Sequence, residues 1–304
     1  SQEEMPLDAT LVQQAALDSD VALIMIGRTA GEDRDNTADP GSYFLTETEQ
    51  EMLRLVTTHF KQTVVVLNVG NIIDMRWVEE TAPSAVLYAW QGGMEGGTGL
   101  SDLLLGRVSP SGKLPDTIVR SLDDYPSTPH FGHADRALYQ EDIYVGYRYF
   151  ETFAPEAVLY PFGYGLSYTS FNLTTDVTTS ADAWTITATV TNTGQTSGKE
   201  VVQGYLEKPQ GQLGNPTRQL VTFGKTKELA PGEQESLTLV VLFASFASYD
   251  DSGVTGHKSS YVIEPGTYQL YLGTDVRSAV LVARHSVETL DVTDVLTENM
   301  APVT

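Results

Sequence analysis

The hydrophobic pattern of this chain changes once, near residue 170, and that change limits the folds available to it. Before it, short apolar runs alternate with segments of helical periodicity, as at residues 21–26 and 47–60. After it, brief runs alternate polar with apolar residues and are separated by turn signals such as Pro231-Gly232. The first pattern is typical of an α/β sheet and the second of an antiparallel β-sandwich. A chain of 304 residues has room for both domains.

The first part carries three apolar runs that are typical of parallel strands buried on both faces, at residues 21–26, 63–69 and 85–90. Between the first two, Thr46 and Glu49 form a capping-box pattern, which predicts a helix from about 47 to 60. Its apolar stripe is expected to lie on the sheet. A second helix is predicted to open near Glu95 and to end at Gly106.

Three strands are few for such a sheet, and the helix expected around residues 7–18 has no strand before it. We therefore predict an α/β sandwich domain at 1–120 that has a mainly parallel sheet and is incomplete at its N-terminal side. Residues 121–170 are predicted to form a connection packed on that domain. Residues 171–304 are predicted to form an all-β sandwich of about seven strands, immunoglobulin-like or fibronectin-like in layout.

Composition excludes several partners. Eighteen basic and forty acidic side chains give a net charge of −22, which repels nucleic acid and anionic membranes but not a neutral sugar. No apolar run approaches the roughly 18 residues that a membrane span needs. The chain has no cysteine, so disulfides, thiolate metal sites and thiol nucleophiles are excluded. The compartment stays open, although no signal peptide is visible in the first residues.

The loop after the first predicted strand is the best candidate for chemistry. In open α/β sheets, ligands bind beyond the carboxyl ends of the strands, where this loop must lie. Glu32 stands there beside Asp33, Arg34 and Asp35. Such charged neighbours can tune a carboxylic acid for proton donation. The alternative is an ordinary polar loop of an acidic protein, and the spacing alone does not decide between the two.

Two other features predict no cofactor and no metal. Residues 91–97 are glycine-rich and follow a strand, but they have neither the Lys-Ser/Thr ending of a phosphate-binding loop nor the spacing of a dinucleotide fingerprint. A tight turn with close backbone packing is the better interpretation. The five histidines, including His130 and His133, are too scattered for a metal-binding spacing.

Several segments, taken in order, resemble family 3 glycoside hydrolases of the β-glucosidase type. They lie at residues 31–34, 64–70, 89–97, 109–115, 139–150 and 160–169. The segments at 190–194, 198–203 and 229–233 are similar to the fibronectin type III-like domain of that family. The resemblance covers nearly the whole chain.

The resemblance implies a role for particular residues. In the family, an aspartate on a (β/α)8 barrel is the nucleophile, and a glutamate of the α/β sandwich domain is the general acid and base. Glu32 matches that glutamate, with Asp33 as the fallback. Asp33 and Arg34 are candidates for substrate contact, although a loop-fixing role is the preferred interpretation for Arg34 and Asn36. The barrel has no counterpart here, so a further segment or a second polypeptide is expected to supply the nucleophile.

The resemblance implies a retaining, exo-acting β-glycosidase that removes terminal β-linked glucose from oligosaccharides or glucosides. Removal of xylose is an alternative within the same family. Removal of N-acetylglucosamine is disfavoured, because members with that activity often take their acid/base from the barrel. A non-catalytic carbohydrate-binding or interaction module is the alternative from a different class.

Overall fold

The computed structural model describes residues 4–28, 35–133 and 135–299. Their contacts define two compact units. The first comprises the chain up to Arg107 with segments 118–138 and 157–159, and the second comprises 108–117, 139–156 and the chain from Tyr160 onward. Much of the predicted connection, including 139–156, therefore groups with the second unit by its contacts. The domain boundaries at 120 and 170 stay predictions.

The first unit is built on a three-stranded parallel sheet in the order β1-β2-β3, with bounds β1 Val21–Gly27, β2 Gln62–Asn68 and β3 Ala85–Tyr88. β1 and β2 run in register from the pair Val21 and Gln62 to the pair Gly27 and Asn68. β-branched residues favour this pleated geometry. The three predicted strands are confirmed.

Four helices accompany the sheet: α1 Ala9–Asp18, α2 Glu47–His59, α3 Trp77–Thr81 and α4 Gly96–Leu104. The predicted capping box is confirmed, since the Thr46 hydroxyl accepts from Glu49 N and the Glu49 carboxylate accepts from Thr46 N. Gly106 follows α4 with a φ of 69°, the left-handed conformation predicted for it. None of the helices in the described ranges is long and apolar enough to cross a membrane.

The prediction of burial on both faces is correct for β2 and wrong for β1 and for β3, in which no residue is fully buried. Val65, Val66 and Leu67 are fully buried, and Ile24 and Ile26 of β1 are buried as well. The alternate face of β1 remains 45–52% exposed, at Val21, Leu23 and Met25. This face of β1, an edge strand of the sheet, is therefore only partly covered in the described part of the chain.

The second unit contains the predicted seven-stranded sandwich. One sheet has the order β10-β7-β6 and the other β14-β13-β8-β9, with bounds β6 Phe171–Thr179, β7 Ala183–Asn192, β8 Val201–Glu207, β9 Gln219–Lys225, β10 Gln234–Leu242, β13 Gly266–Gly273 and β14 Val280–Val287. Every pairing is antiparallel. Trp184, Ile186 and Leu270 are fully buried between the sheets. The predicted fold class, a partial α/β domain followed by a fibronectin-like sandwich, is confirmed.

Short elements complete the structure. A third sheet in the order β11-β12-β15 was not predicted, because its strands are brief: β11 Ser248–Asp250, β12 Ser260–Ile263 and β15 Asp291–Val295. A two-stranded sheet joins β4 Ile118–Val119 with β5 Val158–Tyr160, and α5 spans Tyr147–Phe153.

Candidate functional site

Three loops leave the carboxyl ends of the parallel strands at one edge of the sheet, at residues 28–46, 69–76 and 89–95. This edge is where open α/β sheets bind ligands. The predicted acid/base Glu32 and the predicted substrate contacts Asp33 and Arg34 belong to the first loop, and they lie outside the described residues. Both flanks of the segment that contains them are described, and both are held by side-chain hydrogen bonds.

Arg28 holds the N-terminal flank. Its guanidinium forms a bidentate ion pair with Glu49, at 2.6 Å from Nη1 to Oε1 and 2.9 Å from Nη2 to Oε2. It also donates to the carbonyl oxygens of Gly27, Ser42 and Phe44 at 2.9, 3.0 and 3.4 Å. Each side chain of the ion pair is only 9% exposed. All five guanidinium N–H groups therefore have an acceptor.

Glu49 has two functions at once. As the third residue of α2 it accepts from Thr46 N at 2.8 Å, which completes the capping box. The same carboxylate accepts a hydrogen bond from each of the two terminal nitrogens, Nη1 and Nη2, of Arg28. A carboxylate in the first turn also interacts favourably with the positive end of the helix dipole. The start of α2 is thus tied to the end of β1.

Asn36 holds the C-terminal flank. Its side-chain amide donates to the carbonyl oxygen of Ile72 at 2.7 Å, and its amide oxygen accepts from Asn71 at 3.1 Å. The carbonyl of Asn71 in turn accepts from the Tyr88 hydroxyl at 2.6 Å. The loop after β1 is therefore tied through the loop after β2 to the end of β3. The prediction that Asn36 is a loop-fixing group is confirmed.

Asp74 and Arg76 form a polar pair on the second loop. Arg76 Nε and Nη2 each lie 2.9 Å from a carboxylate oxygen of Asp74. Beside them, the Tyr43 hydroxyl is buried and has no hydrogen-bond partner among the described residues. Burial, and then the charge of Asp74, raise the pKa of Tyr43 to about 12. Tyr43 therefore stays protonated at neutral pH and is a neutral donor.

The third loop contains the glycine-rich segment 91–97. A Cβ added at Gly92 would lie 2.8 Å from the Cα atom of Gly96, so a side chain there would displace the backbone. Close backbone packing explains this glycine without a bound phosphate. Within the described part of the chain, no group of three or more acidic, histidine or cysteine side chains is arranged to hold a metal ion.

Sequence reasoning missed Arg28 and identified Glu49 only as a helix cap. An arginine at the end of a strand carries no distinguishing signal in a single sequence. Its partner lies 21 residues away along the chain, and the pairing follows from the packing of α2 against β1.

Comparison with known proteins identifies the family. Residues 7–168, more than half of the chain, match the glycosyl hydrolase family 3 C-terminal domain. The chain belongs to glycosyl hydrolase family 3. Residues 200–276 match the fibronectin type III-like domain, in agreement with the sandwich of the second unit. The family resemblance of the sequence motifs is thereby confirmed.

Relatives of this family 3 chain are much longer than the chain itself. The beta-glucosidase of Ruminococcus albus is 52% identical over 303 residues, which are 100% of this chain and 32% of the relative. The crystal structure of a beta-glucosidase from Paenibacillus barengoltzii has 50% identity and a TM-score of 0.96, and the match covers 100% of this chain and 34% of that one. Beta-glucosidase 3B of Thermotoga neapolitana in complex with glucose has 33% identity and a TM-score of 0.88, over 97% of this chain and 42% of that one. The chain therefore spans about a third of the first relatives.

Proposed function

We propose that this chain supplies the acid/base half of the active site of a retaining, exo-acting β-glucosidase. Glu32 is the general acid and base, and Asp33 and Arg34 contact the substrate. A (β/α)8 barrel, on a further segment or a second polypeptide, carries the nucleophilic aspartate. The substrate is a glucoside or oligosaccharide with a terminal β-linked glucose. We use "complete enzyme" for the chain together with this barrel.

One observation carries the proposal. Two proteins that match the chain over 100% of its length, at 52% and 50% identity, are both beta-glucosidases. The position of the loop after β1 also supports the proposal, because in open α/β sheets ligands bind beyond the carboxyl ends of the strands. Hydrogen bonds of Arg28 and Asn36 hold the two flanks of the segment that contains Glu32.

The reaction needs two carboxyl groups about 5–5.5 Å apart. In the first step the aspartate attacks the anomeric carbon while Glu32 donates its proton to the glycosidic oxygen, and the aglycone leaves as an alcohol. In the second step the Glu32 carboxylate takes a proton from water, and the water oxygen attacks the same carbon. Glucose is released with its configuration retained, and both carboxyl groups return to their starting states.

Glu32→Gln in the complete enzyme tests the assignment. We expect kcat/KM for cellobiose, whose leaving group needs protonation, to fall about 10²- to 10⁴-fold. For 2,4-dinitrophenyl β-glucoside, whose leaving group needs no proton, we expect kcat/KM to change far less. An equal loss on both substrates would exclude Glu32 as the acid.

Glu32→Ala with added azide tests the second step. Azide is an anion that attacks the glycosyl-enzyme without needing a general base to remove a proton. It should therefore restore turnover of the dinitrophenyl substrate and yield β-glucosyl azide. The isolated chain should hydrolyse neither substrate. Hydrolysis by the isolated chain would show that no barrel is needed.

A further inference from the structure

The two side-chain anchors that flank residues 29–34 have a common consequence for the chemistry. We propose that Arg28 with Glu49, and Asn36 with Asn71, are positioning residues that determine where the acid/base carboxyl group is delivered. The inference rests on the proposed function of Glu32. It adds four residues that act on the reaction through Glu32 and do not touch the substrate.

The position of Glu32 in the sequence makes the anchors effective. It stands four residues after Arg28 and four residues before Asn36. Only four residues of chain, about 14 Å when fully extended, therefore join Glu32 to the anchor on either side. A displacement of either anchor can thus be transmitted to Glu32 through a short length of chain.

The N-terminal anchor is better suited to fixing a direction than to stabilising the fold. Burying an ion pair costs desolvation energy, and an apolar pair of similar volume is often as stable or more so. The planar guanidinium, in contrast, is oriented by five hydrogen bonds to Glu49, Gly27, Ser42 and Phe44. The backbone N–H of Arg28 also donates to Asn68 O at 3.2 Å, which fixes the residue to β2.

The C-terminal anchor uses a different group for the same purpose. Asn36 both donates to Ile72 O and accepts from the amide of Asn71, so its side chain is held in two directions. The Tyr88 hydroxyl holds Asn71 from the other side. The two anchors share no residue, which allows them to be tested independently.

The alternative is that these contacts only stabilise the first unit. A stability effect would lower the amount of folded enzyme, and it would reduce activity on every substrate alike. A positioning effect would reduce activity only where proton transfer limits the rate. A misplacement of about 1 Å at a reacting group can cost about 10²-fold.

The test uses Arg28→Lys, Glu49→Gln and Asn36→Ala in the complete enzyme. The lysine keeps the positive charge but cannot form the bidentate contact. The matched control is Glu51→Gln, which breaks the exposed Arg54–Glu51 pair on the same helix. We expect kcat/KM for cellobiose to fall about 10- to 100-fold in the three variants, with a change below about 3-fold for the dinitrophenyl glucoside. The control should match the parent enzyme on both substrates.

Combination with Glu32→Ala separates the two proposals. If the anchors act through Glu32, then Arg28→Lys and Asn36→Ala should have no further effect on cellobiose hydrolysis in that background. Additive losses, or equal losses on both substrates in folded Arg28→Lys and Asn36→Ala, would overturn the positioning role and leave the role of Glu32 intact. If Glu32→Ala itself affects both substrates equally, the proposed function fails. Should Arg28→Lys not fold, Asn36→Ala alone decides between these outcomes.

Discussion

Asn192 is the centre of a hydrogen-bond network in the fibronectin-like unit, and replacing it with alanine is a direct test of how that unit is held together. The side chain is fully buried. Its nitrogen donates to the carbonyls of Thr196 and Leu229, both at 2.8 Å, and its oxygen accepts from Thr169 Oγ1 at 2.7 Å and from Gly194 N at 3.1 Å. One amide thus uses both N–H groups and both lone pairs.

The size of the expected loss follows from these four bonds. Each contributes about 1 kcal/mol net, so Asn192→Ala should reduce the free energy of unfolding by about 4 kcal/mol. Carbonyls left buried and unpaired would increase the loss further. Since domains are stable by about 5–15 kcal/mol, the sandwich should become marginal.

Urea unfolding of the 304-residue chain, followed by circular dichroism, measures this loss in the transition of the sandwich. Asn172→Ala is the matched control, because Asn172 lies exposed on β6. It should change the free energy by less than about 0.5 kcal/mol. A loss below about 1 kcal/mol for Asn192→Ala would refute the reasoning, since the network would then contribute little to stability.

Three further predictions concern acid, association and substrate. Burial raises the pKa of the Asp250 carboxyl, but hydrogen bonds from the Thr255 hydroxyl, Thr255 N and Gly253 N outweigh burial and lower this pKa to about 2. Because the folded pKa lies below the unfolded value near 4, this stabilisation is present above about pH 4 and is lost as the pH falls toward 2. Asp250→Asn should flatten the acid limb of a plot of unfolding free energy against pH, and an unchanged limb would contradict the assignment. The double substitution Leu23→Glu and Met25→Glu should reduce self-association of the isolated chain, because it places charges on the exposed apolar face of β1. Light scattering measures the association, and a parent chain that is already monomeric would show that this face does not associate. The complete enzyme should have a higher kcat/KM for 4-nitrophenyl β-glucoside than for the β-xyloside, and the reverse order would favour the xylosidase alternative.

The sequence predicted those features that depend on local pattern. The three parallel strands followed from apolar runs, and the start of α2 followed from Thr46 and Glu49, whose capping contacts are three residues apart. The sandwich followed from alternation and turn residues. The prediction was wrong for the outer face of β1, because an apolar run shows that a strand can be buried but not whether another element covers it.

The candidate site shows which contacts could not be predicted from the sequence. Position in the sequence predicts that Glu32 lies at the ligand-binding edge of a parallel sheet, and the family resemblance implies a chemical role for it. The anchors could not be predicted, because the contacts of Arg28 with Glu49 and of Asn36 with Asn71 span 21 and 35 residues. Single-sequence periodicity reports on neighbours up to about one or two helical turns away, so contacts of this range depend on the packed structure.

Glu49 illustrates why a correct local prediction can still be incomplete. Its capping contact with Thr46 explains the residue fully at the level of the helix, and nothing in the pattern asks for a second function. The structure adds Arg28 to the same carboxylate and so couples the start of α2 to the end of β1. A glutamine at this position could still cap the helix through its side-chain oxygen, but it would pair less strongly with the buried guanidinium. The helix dipole already favours a carboxylate at this position, and the ion pair with Arg28 adds a second reason for glutamate over glutamine.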